Sequence, residues 1–170
     1  MSQILRFTAP WGTSLKLITA ICVVAMVAAT AAVGANPGAR APWGPLITAV
    51  PLVILGVTAL FMVREYGVVP GELRVQRLFW NTRISLIPLQ RVEVDPRAIK
   101  GSIRIGGNGG LFSFTGWYYN RRLGRYRMLV SDPQRLVVLH FADRRPIVVS
   151  PGDPEVFARA ARVCAGLPPA

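Results

Sequence analysis

KLITAICVVAMVAATAAVGANPGARAPWGPLITAVPLVILGVTALFMVR, residues 16–64, holds a single charge, Arg40, between its terminal Lys16 and Arg64. Residues 17–35 are uncharged and apolar, long enough to cross a hydrocarbon core of ~30 Å as a helix. A second apolar run covers 41–63, with 46–63 as its membrane part. Between them, residues 36–45 contain three prolines and two glycines, which break helices and predict a short turn. The expected unit is a two-helix transmembrane hairpin over 17–63. Trp11, Trp43 and Tyr66 flank the runs, where amphipathic rings sit at a water interface. Ala25/Ala29, Ala28/Ala32 and Thr30/Gly34 place small residues four apart, which allows close packing within the hairpin or between copies in a homo-oligomer.

Moving outward, Arg6 and Lys16 precede the first run, and Arg64, Arg74, Arg77 and Arg83 follow the second. The positive-inside rule then places both termini in the cytoplasm of a multi-pass plasma-membrane protein. Residues 1–16 become a cytoplasmic N-terminal segment. Val33-Gly34-Ala35 also resembles a signal-peptide cleavage site, but the apolar run is long for one, and the second helix would still hold the remainder at the membrane. Composition supports the division. The chain is 52% hydrophobic with mean hydropathy +0.40, yet has 20 basic residues against 8 acidic. Seventeen of the basic residues and all eight acidic ones lie from Arg64 onward. No charged residue lies within either run, which argues against a transport path. Cys22 and Cys164 fall in separate segments and predict no disulfide, in keeping with a reducing compartment.

Residues 64–170 read as a second, mainly β domain. Strands are expected over 73–79, 83–89, 92–95, 102–105, 117–120, 125–130, 136–141 and 147–150, with a hairpin turn at 80–82 and a glycine-rich loop at 106–110. One helix closes the chain: Asp153 as N-cap, Pro154 at its first position, Glu155 at the positive end of the dipole. Val156, Phe157, Ala160, Val163, Cys164 and Leu167 form its expected apolar face, capping an open end of the sheet.

About seven strands followed by one amphipathic helix is the order of a pleckstrin-homology-like domain. GSIRIGGNGGLF (101–112), Tyr119-Asn120, Leu123-Gly124, Ser131-Asp132 and VSPGDP (149–154) resemble the membrane-anchored bacterial PH domain family over about residues 64–165. The resemblance implies a partly open β-barrel with a C-terminal capping helix and no enzyme activity. It implies no particular ligand.

Nothing in the sequence assembles a catalytic centre or a cofactor site. His140 is the only histidine and has no further ligands at metal spacing. The eight carboxylates are scattered over turns and caps. The glycines at 106–110 precede LFSFTG rather than a helix start, and no Gly-Lys-Ser/Thr follows, so a flexible turn is expected rather than a nucleotide cradle.

The informative stretch is WYYNRRLGRYR, residues 117–127. Strand alternation puts Arg125 and Arg127 on one face, Tyr126 and Met128 on the other. Arg121 and Arg122 occupy the turn. Counting antiparallel turns brings that turn to the same end as 142–145, so Arg121, Arg122, Arg144 and Arg145 are expected to converge. With Arg125, Arg127, Trp117 and Tyr119, these four arginines are the candidate partner- or lipid-binding residues, since the guanidinium fork suits carboxylate and phosphate. A meander starting at the membrane puts this end away from the bilayer, which favours a protein partner over anionic lipid. Basic and aromatic residues also suit single-stranded nucleic acid, but no recognition motif accompanies them. The sequence therefore predicts a non-enzymatic, membrane-held interaction module that docks a protein or organises a complex, with direct binding of anionic headgroups as the alternative.

Overall fold

A computed structural model describes residues 4–35 and 44–168. The connection at 36–43, including Arg40 and Trp43, lies outside the described residues. The chain opens with β1 (Leu5–Thr8), followed by α1 (Thr13–Gly34) and α2 (Gly44–Leu60). α1 buries only Leu15 and Thr19, while Leu17, Ile21 and Val24 are 60–68% exposed. A soluble helix hides its apolar stripe; this one is apolar all round and turns most of that surface outward. α1 is the one described helix long and apolar enough to cross a bilayer. α2 is also apolar but ends at Leu60, short of the expected span to residue 63, and contains Pro51. The two helices lie in contact. Thr30 and Thr58 return their hydroxyls to the carbonyls of Met26 and Ile54, which satisfies both hydroxyls within their own helices.

Nine further strands and one helix complete the fold: β2 (Glu65–Val69), β3 (Glu72–Gln76), β4 (Asn81–Ser85), β5 (Leu89–Val94), β6 (Ile103–Gly109), β7 (Phe114–Asn120), β8 (Gly124–Val130), β9 (Val137–Phe141), β10 (Ile147–Val149) and α3 (Pro154–Cys164). They form two sheets, ordered β1-β2-β3-β4 and β5-β9-β10-β8-β7-β6. No ladder joins β4 to β5 among the described residues, so the mainly β domain is two sheets and does not close into a barrel. Every pairing is antiparallel except β10 with β8. The main core lies between the sheets and includes Tyr66, Leu73, Val75, Leu139 and Phe157. A second cluster, on the far face of the larger sheet, packs Tyr118, Tyr126, Met128 and Val138 against Ala98.

Three local expectations change. The first hairpin turn falls at 77–80, so Asn81 and Thr82 already belong to β4. The glycine-rich segment is strand, not loop: Gly106, Gly107 and Gly109 pair with β7. α3 keeps its Asp153 cap, whose carboxylate accepts from Val156 N at 3.1 Å. Its buried face is Phe157, Ala158, Ala160 and Ala161, while Val156 and Val163 are exposed. Phe157 sets that rotation by meeting Phe7 and Tyr66 edge-on.

Tyr66 is the polar pin of the core. Its hydroxyl donates to Leu129 O at 2.7 Å and accepts from Ser150 N at 3.1 Å. Burial pushes its pKa up from 10.0 to about 12, against the lowering effect of the Ser150 hydrogen bonds. The folded state thus keeps a proton that the unfolded chain loses near pH 10. Stability from this group is complete below pH 10 and falls by up to about 1.4 kcal/mol per unit as pH rises towards 12. Tyr66→Phe should cost about 1–3 kcal/mol at pH 8 by stranding the Leu129 carbonyl and the Ser150 N–H. Denaturation of the detergent-solubilised protein across pH 9–12 should show a shallower alkaline decline in the variant. An unchanged slope would remove Tyr66 as its source.

Candidate functional site

The helices meet the β domain through hydrogen bonds at three points. Gly12 N, before α1, donates to Ser131 O at 3.1 Å. About two turns later, the buried Thr19 hydroxyl donates to Gly110 O at 3.2 Å and accepts from Phe112 N at 3.1 Å. Past the end of α2, Phe61 O accepts from Arg77 Nη1 at 2.6 Å and from Ser113 Oγ at 3.1 Å. The last carbonyls of a helix lack intrahelical donors, and the negative end of its dipole favours a cation there. Arg77 supplies one, with its guanidinium 5.7 Å from the Phe61 ring.

Beside this junction lies a cavity of about 830 Å³. Ile18, Cys22 and Val57 form an apolar wall from the two helices. Arg77, Arg104 and Arg127 enter from the β domain, and none of the lining residues is acidic. Burial holds both the Arg77 and Arg127 guanidiniums below their ordinary pKa, and the charge of Arg127 pushes Arg77 the same way. Such depression marks electrostatic discomfort, since arginine does not lose its proton in proteins. Six of the eight carboxylates pair with arginines elsewhere, at Glu65, Glu72, Glu93, Asp95, Asp132 and Asp143.

The candidate residues from the sequence divide between this cavity and the opposite end of the same strands. Trp117 lies opposite Arg127 in the ladder and Tyr119 opposite Arg125. Trp117 and Arg127 line the cavity; Arg125 stacks over the Trp117 ring at 5.4 Å. Tyr119 is exposed. The tip after β7 and the tip before β10 do share one end, because β10 runs parallel to β8. Asn120 fixes the first tip: its side chain donates to Ala98 O and accepts from the backbone of Arg122 and Leu123. Two of the four tip arginines are already committed. Arg122 pairs with Glu93 and Asp95, and Arg144 with both oxygens of Asp143. Arg121 and Arg145 are exposed and have no ion-pair partner among the described residues.

Sequence reasoning missed Arg77 and Arg104 as site residues. A lone arginine in a turn and another before a glycine run carry no pattern; only the packing of α2 and β6 joins them. His140 lies on β9 with Nε2 buried and unbonded, 3.5 Å from Glu93 Oε2. Among the described residues, no group of three or more His, Cys, Asp or Glu side chains converges as a metal site.

Two sheets closed by a C-terminal helix agree with the comparison by family: the model for the bacterial PH domain matches residues 64–164. The chain belongs to the bacterial PH domain family. PH domains are generally non-catalytic interaction modules. No curated protein and no solved structure matches the chain.

The cavity wall depends on two facing glycines. Gly107 (φ 113°) and Gly116 (φ 141°) are paired across β6 and β7. A Cβ on Gly107 would collide with the Thr115 carbonyl, and one on Gly116 with the Gly106 carbonyl. Gly107→Ala should cost about 2–3 kcal/mol, combining an unfavourable φ with a backbone clash. Gly101→Ala, which also has positive φ but open space around it, should cost less. Equal melting temperatures for the two variants would show that the close approach of β6 and β7 is not a constraint.

Proposed function

We propose that this protein is a membrane-anchored, non-enzymatic interaction module that docks a protein partner, or organises a complex, at the cytoplasmic face of a bacterial membrane. α1 and α2 form the anchor as a hairpin with both termini inside. The excess of basic residues flanking the helices supports that orientation. The observation that carries the docking reading is the pair Arg121 and Arg145, exposed and without ion-pair partners at one end of the larger sheet. β7 starts beside the helices, where Ser113 reaches Phe61, and ends at Asn120. At a strand rise of ~3.4 Å per residue, Arg121 stands roughly 20 Å farther from the helices. A charge displayed there meets an acidic protein surface more readily than headgroups. Trp117, Tyr119 and Arg125 extend the same sheet face towards the helices and offer stacking area beside the charge.

The test uses the full chain in its native membrane, because β1 completes the first sheet and an excised domain would lose it. A photo-crosslinker at position 121 or 145 should capture a discrete partner, and Arg121→Glu/Arg145→Glu should cut its yield at least tenfold without displacing the protein from membranes. Raising salt should lower the yield too, since exposed charges are screened beyond a Debye length of ~8 Å. A yield indifferent to both changes, or no product at all, would overturn docking at this end.

A further inference from the structure

The arginine cavity is a different place with different chemistry. Arg77 and Arg127 are both half-buried or deeper, and they repel one another. Arg77 spends its donors on Phe61 O and on Thr82 Oγ1. The Arg127 guanidinium has no hydrogen-bond or ion-pair partner among the described residues, although its backbone N–H donates to Pro146 O at 2.9 Å. Arg104 is exposed at the mouth and makes only a 3.4 Å contact to Gly107 O. Buried charges are ordinarily paired, and an unpaired one is costly. Here the positive charge accumulates where no carboxylate lines the space, which leaves the counter-charge to come from outside the chain.

The opposite wall decides what kind of anion. It is built from Ile18 and Cys22 of α1 and Val57 of α2, so the cavity is polar on the domain side and hydrocarbon-like on the helix side. An inorganic anion would satisfy one wall and leave the other against water. A phosphate that carries acyl chains satisfies both. Basic pockets beside membrane helices on the cytoplasmic side bind lipid head groups for this reason. The volume, about 830 Å³, accommodates a headgroup with the first part of its chains.

We propose that this cavity binds one anionic phospholipid, with its phosphate between Arg127 and Arg104 and its chains along α1 and α2. Arg77 is a positioning residue: it caps the end of α2 and adds charge behind the phosphate. The inference rests on the helices being in a bilayer, but not on docking at Arg121 and Arg145.

The experiment is native mass spectrometry of the full-length protein from nanodiscs containing equal phosphatidylglycerol and phosphatidylcholine, followed by thermal shift in detergent with either lipid added back. Wild type should retain phosphatidylglycerol at one per chain, at least tenfold over phosphatidylcholine, and melt higher when it is returned. Arg127→Gln and Arg104→Gln should each lose that selectivity. Arg104 is exposed, so its variant reads the site without risk to the core, and Arg127→Gln should melt no lower than the lipid-free wild type because no internal bond is lost. Arg121→Gln should retain the lipid. Equal retention of both lipids, or selectivity surviving in both cavity variants, would overturn the proposal. So would inorganic phosphate giving the same thermal shift, which would reduce the cavity to a general anion site. Membrane fractionation separates the failures: protein in the membrane pellet without lipid selectivity sinks the site alone, and protein in the soluble fraction sinks the anchor and the site together.

Discussion

The carbonyl of Phe61 is where the apolar and the basic parts of this molecule become one structure. It leaves α2 without an intrahelical donor, and the domain supplies two, the Arg77 guanidinium and the Ser113 hydroxyl. A charge-assisted hydrogen bond in a partly buried place contributes about 1.5–3 kcal/mol, more than a neutral bond at an exposed helix end. Thr19 makes the matching tie from α1, donating to one backbone group of the 110–112 turn and accepting from another. With β2 beginning at Glu65, only four residues separate it from Leu60, too few for a flexible linker. The orientation of the sheets relative to the helices is therefore fixed by hydrogen bonds rather than by tethering.

That arrangement has an electrostatic consequence. Drawing Arg77 in to cap α2 brings it within range of Arg127, on a strand whose other face is committed to the core through Tyr126 and Met128. Alternation along β8 leaves no freedom to turn Arg127 away without exposing those side chains. The acidic residues offer no relief: none lines the cavity, and those at β3, β5 and the hairpin tips neutralise other arginines. A protein selected only for stability would place an apolar residue or a carboxylate at 127. A cation there opposes stability, which fits a group that serves what it meets from outside.

How much of this was legible in the sequence follows from which forces are local. The two helices were legible because loss of charge over a membrane length needs no tertiary context. The α3 cap was legible because Asp153, Pro154 and Glu155 act within one turn. The bacterial PH resemblance was legible in its short motifs. β1 was not: Leu5–Thr8 is four residues long and becomes a strand only because β2 offers an open edge. The glycines of β6 read as a loop because glycine usually weakens strands, whereas here Gly107 and Gly116 permit a backbone approach that larger residues forbid. The apolar face of α3 was legible at Phe157, Ala160, Cys164 and Leu167, which are buried or pack on the core, but not at Val156 and Val163, which are exposed while Ala158 and Ala161 turn inward. The tip arginines were found by counting turns, but their ion pairs with Glu93, Asp95 and Asp143 could not be, since they join distant segments.

The β7–β8 hairpin connects the two basic regions and keeps them apart. One end abuts the apolar helices through Ser113, and the other holds Arg121 at a tip fixed by Asn120. Arg77 and Arg127 sit where charge is partly desolvated, so each is strongly felt by a ligand in contact and hardly at all at a distance. The tip arginines sit in water, where charge reaches farther but weakens with salt. A phospholipid held at one end and an acidic protein at the other would thus be recognised by the same side chain under opposite conditions, without competing for space. On this reading the basic excess is not a single diffuse patch. It is two sites of different dielectric, separated by the length of a strand and carried on a domain that its helices hold in one orientation.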